Sequence, residues 1–244
     1  MVREYIALVA SCISTEPSFH KINKYLDASF DSLSGNSPDS AQMITLNNNL
    51  LVGRGTLRAC YLHPEDETLV IKVGRADRVG GNDANQKEYS SYQKIFQRHE
   101  KLDHISRCHG FVETDRGQGL VCDCIRDSSG EISQTIWEIV VYDDACDIGN
   151  ILEVARTLCD YLIAHDLFLF DINLKNIVLR RDRDYRYRAY AIDLKGPYDN
   201  KEFLQLSSRI TFLGRQKLKR RTKQLLERIV QFREQREELK NLPT

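Results

Sequence analysis

Two short acidic signatures late in the chain carry residue types that phosphoryl transfer needs. Asp171-Ile172-Asn173-Leu174-Lys175-Asn176 sets an acid five residues ahead of an amide, and Asp193 follows the apolar pair Ala191-Ile192, twenty-two positions after Asp171. In such chemistry the first acid orients the attacking hydroxyl, while the amide and the second acid hold Mg²⁺ against the nucleotide phosphates. Asp171 is therefore the candidate catalytic residue. Asn176 and Asp193 are the candidate metal ligands, offering the oxygen donors that a hard divalent cation prefers. Asp and Asn also cap ordinary turns. Here apolar runs on both sides, 167–170 and 177–179, set the turn at strand ends, where a site can be built.

Lys72 is the next such residue. It interrupts the apolar run Leu69-Val70-Ile71-Lys72-Val73, so it must either snorkel outward or meet an acid. Glu88 lies sixteen residues on, and on a helix over 84–99 it shares a face with Tyr92 and Ile95 at i, i+4, i+7. A carboxylate on an apolar face needs a partner. Each residue explains the other, and a Lys–Glu pair that aims the ammonium at nucleotide phosphates is the arrangement expected of a kinase site.

Gly53 and Gly55, without a Cβ, would let backbone N–H groups approach phosphates between two strands. The third glycine of such a loop is missing, and Arg58 stands there instead. Arg58 either points to solvent or adds a cation near the phosphates, since guanidinium pairs readily with phosphate.

The elements that must position these groups follow from pattern. From 43 to 75 the reading is strand, glycine turn, strand, polar turn (63–67), strand; Gly80-Gly81-Asn82-Asp83 then breaks the chain and caps the helix. Two strands, about 110–112 and 119–125, follow around the turn 114–117. Ile148, Ile151, Leu152, Ala155, Leu158, Cys159 and Leu162 mark a strongly amphipathic helix. Short strands flank 171–176, a charged hairpin tip falls at 180–188, and 189–192 is a strand. Residues 201–240 are helical, with Leu225, Ile229, Phe232 and Leu239 on one stripe. A strand-rich half with one helix, then a helical half with a hairpin, is an α+β class layout. It predicts a bilobal protein-kinase-like fold with a strand-rich N-lobe (43–126) and a compact, truncated helical C-lobe (127–244). Residues 1–42 read as an N-terminal extension and linker: a modest helix over 1–30, then a Ser/Gly/Asn/Pro-rich stretch over 32–39.

Composition sets the outer bounds. The 244 residues are 41% hydrophobic and 29% charged with zero net charge, as in a globular protein able to build a core. Seven cysteines form no C-x-x-C pair; they read as reduced, mostly buried thiols in a cytoplasmic protein. Cys122 and Cys124 alternate like one strand face, and His104, Cys108 and His109 lack a second ligand cluster, so neither group reads as a metal site. The longest apolar run, 6–10, is far too short to span a bilayer, and membrane insertion is not expected. The last 44 residues carry twelve Lys/Arg against five Asp/Glu. Within them, Arg215, Lys217, Lys219, Arg220, Arg221 and Lys223 run without an acid. With only Leu218 among them and no aromatic residue, they read as a solvated helix face. Nucleic acid is not expected as a partner on this pattern; a separate reading is a binding protein that takes an acidic partner there.

Longer blocks are more specific than these pentads. Cys60-Tyr61-Leu62-His63-Pro64-Glu65-Asp66 leads to Ile71-Lys72. His109-Gly110-Phe111-Val112-Glu113-Thr114-Asp115 precedes Gly117 and Gly119, and Leu174-Lys175-Asn176-Ile177 follows. With these blocks the chain resembles the YrbL-type "PhoP regulatory network" proteins of bacteria from about Met43 to Asp193. The resemblance implies a compact, atypical kinase-like protein with ATP and Mg²⁺ at Lys72, Glu88, Asn176 and Asp193, and a regulatory role. The acceptor would be an unidentified protein or small molecule. The departures from an ordinary protein kinase are plain. Leu169-Phe170 stand where His-Arg is usual, Asn173 replaces the Lys two places after the catalytic Asp, Asp193-Leu194-Lys195-Gly196 carries an extra residue, and no Ala-Pro-Glu follows. The alternative reading is a nucleotide-binding pseudokinase that regulates a partner without phosphoryl transfer.

Overall fold

The computed structural model describes residues 43–99, 101–169, 171–194 and 207–240, with side chains of the last segment from 212 onward. The extension and linker read over 1–42 lie outside the described residues, as does the stretch 195–206 that follows Asp193 and Leu194.

Five strands form the first sheet: β1 (Leu51–Arg54), β2 (Arg58–Leu62), β3 (Leu69–Gly74), β4 (Cys108–Thr114) and β5 (Gly117–Asp123), in the order β1-β2-β3-β5-β4. Every pairing is antiparallel. Period-two alternation divides the strands between two faces. On one face Ala59, Tyr61, Ile71, Val73 and Val121 close over Leu46 as a small core. On the other, Val70, Leu120 and Cys122 join the main core together with Tyr92 and Ile95. Cys60 pairs with Lys72, and Lys72 with Leu120, so Lys72 belongs to this second face.

Helix α1 (Gly81–Phe96) starts three residues before the expected 84 and has no side-chain cap. Gly80 caps it in the left-handed region (φ 93°), a conformation glycine adopts without steric cost. Gly81 is held still more tightly: a Cβ there would lie 2.4 Å from Gly74 Cα and 2.9 Å from Leu57 O. The two backbones therefore touch where β3 ends and α1 begins, and this contact sets α1 against the strand that carries Lys72.

The second half contains β6 (Gln134–Thr135), α2 (Ile136–Tyr142), α3 (Ile148–Ala164), β7 (Ile177–Arg181), β8 (Tyr187–Ala191) and the long α4 (Ser207–Lys240), with the strands in the order β6-β7-β8. Sequence periodicity did not single out α2. Its signal is the capping box at Thr135 and Glu138, a spacing that fixes helix starts by satisfying two orphan backbone groups. Asp147 caps α3 by accepting from Asn150 N at 3.2 Å, and Ile151, Ala155, Leu158, Cys159 and Leu162 are all buried. On α4 the buried stripe is Leu218, Thr222, Leu225 and Ile229. Phe232 meets Trp137 edge-on at 4.8 Å. Leu239 is 49% exposed: the apolar stripe stops before the helix does. The strand expected before Asp171 is also absent among the described residues, where Leu167 and Leu169 are buried without pairing.

The segment between α1 and β4 ties the two halves together. Ala191 N donates to His104 O at 2.9 Å and Ser106 N to Ala191 O at 3.1 Å. The Tyr92 hydroxyl lies 2.7 Å from Ser106 Oγ, both buried. The chain leaving α1 is thus bonded to β8, the strand that ends two residues before Asp193.

Candidate functional site

The β7–β8 hairpin brings the two acidic signatures to one end of a sheet. Ile177 is paired with Ala191, and Ile192 N donates to Asn176 O at 2.9 Å. Asn176 immediately precedes β7 and Asp193 lies two residues after the end of β8, so antiparallel register makes neighbours of residues seventeen apart. Asp193 has φ 55°, in the left-handed region uncommon for a residue with a Cβ. Such conformations cluster where a side chain must be aimed.

The turn 171–176 is held by its own amides. Asn173 Nδ2 donates to Asp171 Oδ1 at 2.6 Å and Lys175 N donates to Asn173 Oδ1 at 2.9 Å. Asn176 Nδ2 donates to Asp171 O at 3.1 Å. Asn173, a departure from the usual kinase loop, therefore helps to orient the Asp171 carboxylate. Sequence reasoning gave it no role; its signal was an amide two residues after an acid in a turn, a spacing that favours local side-chain bonds. A small pocket here is lined by Asp171, Asn176, Ile192 and Asp193 with Leu158 and Leu162.

Across from this turn, on the first sheet, Lys72 Nζ lies 2.7 Å from Glu88 Oε1 and 3.8 Å from Asp193 Oδ1. The Glu88 side chain is fully buried, Lys72 is 12% exposed and Asp193 21%. Asn85, one turn before Glu88, donates to Lys72 O at 2.8 Å and fixes α1 against β3. Burial alone would lower the Lys72 pKa, but Glu88, with Asp193 beside it, overcomes this and pushes it upward. Lys72 is an ammonium throughout the neutral range. Burial pushes the Glu88 carboxyl up, while Lys72 and Arg58 pull against that shift.

Arg58 does not point to solvent, one of the two roles read for it from sequence. Its side chain is 12% exposed and bonds Glu88 and Asp193 together, while its Nη1 also donates to Asn85 Oδ1 at 2.9 Å. Burial opposes the Arg58 charge, but Glu88 and Asp193 more than restore it and raise its pKa. Two cations and two carboxylates thus close into a ring drawn from β2, β3, α1 and the end of the β8 segment. Gly53 lies within β1 rather than between strands, paired with Cys60, and a Cβ there would meet open space. Gly55 lies in the turn, its N–H donating to Arg58 O at 2.8 Å.

The donor set bears on what could bind. Asp193 and Asn176 offer hard oxygen donors of the type Mg²⁺ takes, and Lys72 and Arg58 offer charge for phosphate oxygens. Among the described residues no three His, Cys, Asp or Glu side chains gather as a metal cluster. His104 Nδ1 instead lies 2.7 Å from Ala189 O and His109 Nε2 2.7 Å from Asp123 Oδ1. A wider groove on the opposite face of the first sheet, lined by Arg54, Tyr61, Arg75 and Arg116, holds none of the ring residues.

Two residues of the basic stretch of α4 reach the segment that precedes Asp171. Arg215 forks onto Asp166, Nε to Oδ1 at 2.6 Å and Nη2 to Oδ2 at 2.9 Å. Arg221 Nη1 donates to Leu169 O at 2.9 Å. Lys217, Lys219, Arg220 and Lys223 are exposed. No helix among the described residues is long and apolar enough to cross a membrane.

A five-stranded antiparallel sheet with a helix between its third and fourth strands, a buried Lys–Glu pair, and an acid–amide turn ahead of a hairpin define a protein-kinase-like fold. Within that class the chain belongs to the family described as PhoP regulatory network protein YrbL, whose model matches residues 44–230. The chain is 32% identical over 142 residues to YrbL of Escherichia coli (strain K12) and equally to YrbL of Shigella flexneri, covering 57% of this chain and 67% of each relative. Among solved structures, a mutant form of the Mycobacterium tuberculosis PknI kinase domain is 18% identical with a TM-score of 0.38, over 60% of this chain and 58% of that one.

Proposed function

We propose that this protein is an atypical ATP- and Mg²⁺-dependent phosphotransferase, cytoplasmic and regulatory, acting on a protein or small-molecule hydroxyl. The observation that carries the reading is the meeting of Lys72, Glu88 and Asp193 in one ring beside the hairpin end that bears Asn176. In this reading Lys72, steadied by Glu88, faces the nucleotide phosphates, with Gly53, where a Cβ would meet open space, leaving room beside β1. Asn176 and Asp193 would hold Mg²⁺, which neutralises charge on the phosphate oxygens. Asp171, its carboxylate oriented by Asn173, accepts the proton of the acceptor hydroxyl as that oxygen bonds the terminal phosphorus and the bond to the nucleotide's bridging oxygen breaks. The family's description supports the regulatory role, and six described cysteines without disulfides support a reducing compartment.

The contact of Arg58 with Asp193 favours a second reading, a pseudokinase that binds nucleotide and acts on a partner without transfer. Calorimetry with Mg-ATP separates both from a fold that binds no nucleotide. A micromolar-range constant, about −8 kcal/mol, abolished in Asp193→Ala, is the expected result. Absence of heat at millimolar ATP would end both readings. With binding established, Asp171→Asn should lower phosphate transfer by ~10²–10⁴ while leaving nucleotide affinity unchanged. Normal turnover in that variant removes Asp171 from the chemistry, and binding without transfer in the parent protein selects the pseudokinase.

A further inference from the structure

Asp193 is asked to be a metal ligand, yet its Oδ1 is already the partner of two cations, the Arg58 guanidinium in contact and Lys72 Nζ at 3.8 Å. Arg58 is not a passing surface neighbour. It is held at three points from two different elements: Asn85 Oδ1 and Glu88 Oε2 on α1, and Asp193 Oδ1 after β8. With Lys72 it brings the ring to electrical balance, two positive charges against two negative ones. A divalent cation bound at the same carboxylate oxygen would have to share it with a guanidinium at contact distance, and like charges this close and this buried repel strongly.

We propose that Arg58 is the resident counter-ion of Asp193, setting a positive charge against the carboxylate that a metal would use, so that a divalent cation enters only by displacing it. The proposal rests on the nucleotide-site reading above for what lies beyond the displacement. Polyphosphate offers the released guanidinium a new bidentate partner, and metal entry is thereby tied to the arrival of nucleotide. The side chain can make this exchange while its backbone stays paired in β2 with Gly74. On this view the residue in the place of a third glycine is functional. It makes the metal site conditional, where a glycine would leave Asp193 open to any divalent ion.

The test uses the full chain and Mn²⁺ alone, with free Mn²⁺ followed by electron paramagnetic resonance and no nucleotide present. Arg58→Gln should bind one Mn²⁺ at least tenfold more tightly than the parent protein, and adding Asp193→Asn should remove that gain. Equal Mn²⁺ affinity in parent and Arg58→Gln overturns the proposal, as does a gain that survives Asp193→Asn. If circular dichroism shows that Arg58→Gln does not fold, Arg58→Met replaces it. Its apolar stem fills the same path without the charge, so Mn²⁺ affinity should again rise; no rise overturns the proposal. Mg-ATP titration of the same parent sample keeps the two ideas apart. Loss of ATP binding there sinks the nucleotide reading, while the Mn²⁺ comparison alone decides whether Arg58 guards Asp193.

Discussion

Two regions of this protein are rich in cations, and their charges do different physics. Arg58 and Lys72 are each 12% exposed and each bonded to a buried or half-buried carboxylate. Lys217, Lys219, Arg220 and Lys223 stand in solvent on α4; the pair Lys223–Glu227, at 3.7 Å, is exposed on both sides. In water such pairs contribute little, because solvent screens them and long side chains lose entropy in holding one geometry. Inside, a carboxylate and its cations cannot be separated without leaving an uncompensated charge. Between the extremes, Arg221 is the member of the basic stretch that turns inward, to the carbonyl of Leu169. Burial, not charge, distinguishes the candidate site from a solvated helix face.

The contrast is tested most severely by Glu88→Ala, which strands Lys72 and Arg58 without their shared buried partner. Urea unfolding should show a loss of ~3–5 kcal/mol; a loss no larger than that of a surface substitution would show that the ring is solvated and the contrast false. The dryness of the same region can be sharpened through Cys60, which pairs across from Lys72 in the sheet. Burial pushes the Cys60 thiol up to about 11, against the pull of Lys72. The thiolate is the reactive form. Iodoacetamide labelling followed by mass spectrometry should therefore find Cys60 nearly inert at pH 8, its rate climbing about tenfold per pH unit up to about 11. Rapid labelling at pH 8 would mean that water reaches the ring. The smallest effect is expected on α4: replacing Lys219, Arg220 and Lys223 together by Gln should leave the melting temperature within ~2 °C. A clear drop would show that this face packs against something in the folded chain.

Much of this arrangement was readable before any fold was known. A lysine inside Leu69-Val70-Ile71-Lys72-Val73 and a glutamate on the face of Tyr92 and Ile95 are each costly alone, so their pairing follows from local pattern and the cost of unpaired burial. The amphipathic run now seen as Ile148–Ala164 was legible for the same reason. Boundaries fared less well. Helix α1 begins at Gly81 because its backbone packs on Gly74, a contact that no local pattern announces. Leu239 fits the apolar spacing of α4 yet is exposed, because the surface it would cover ends earlier.

Residue types and spacing by themselves determined that this chain is an α+β protein with a buried Lys72–Glu88 pair and an acid–amide turn, since both depend on neighbours within one element or the next. Only the tertiary structure decided that Arg58 holds Asp193, 135 residues away, that Asn176 and Asp193 meet through the register of one hairpin, and that Arg221 reaches the loop before Asp171. The physical reason is range. Propensity and periodicity act over a few residues, whereas these contacts exist only after two sheets and α4 have packed and have chosen which charges to enclose together.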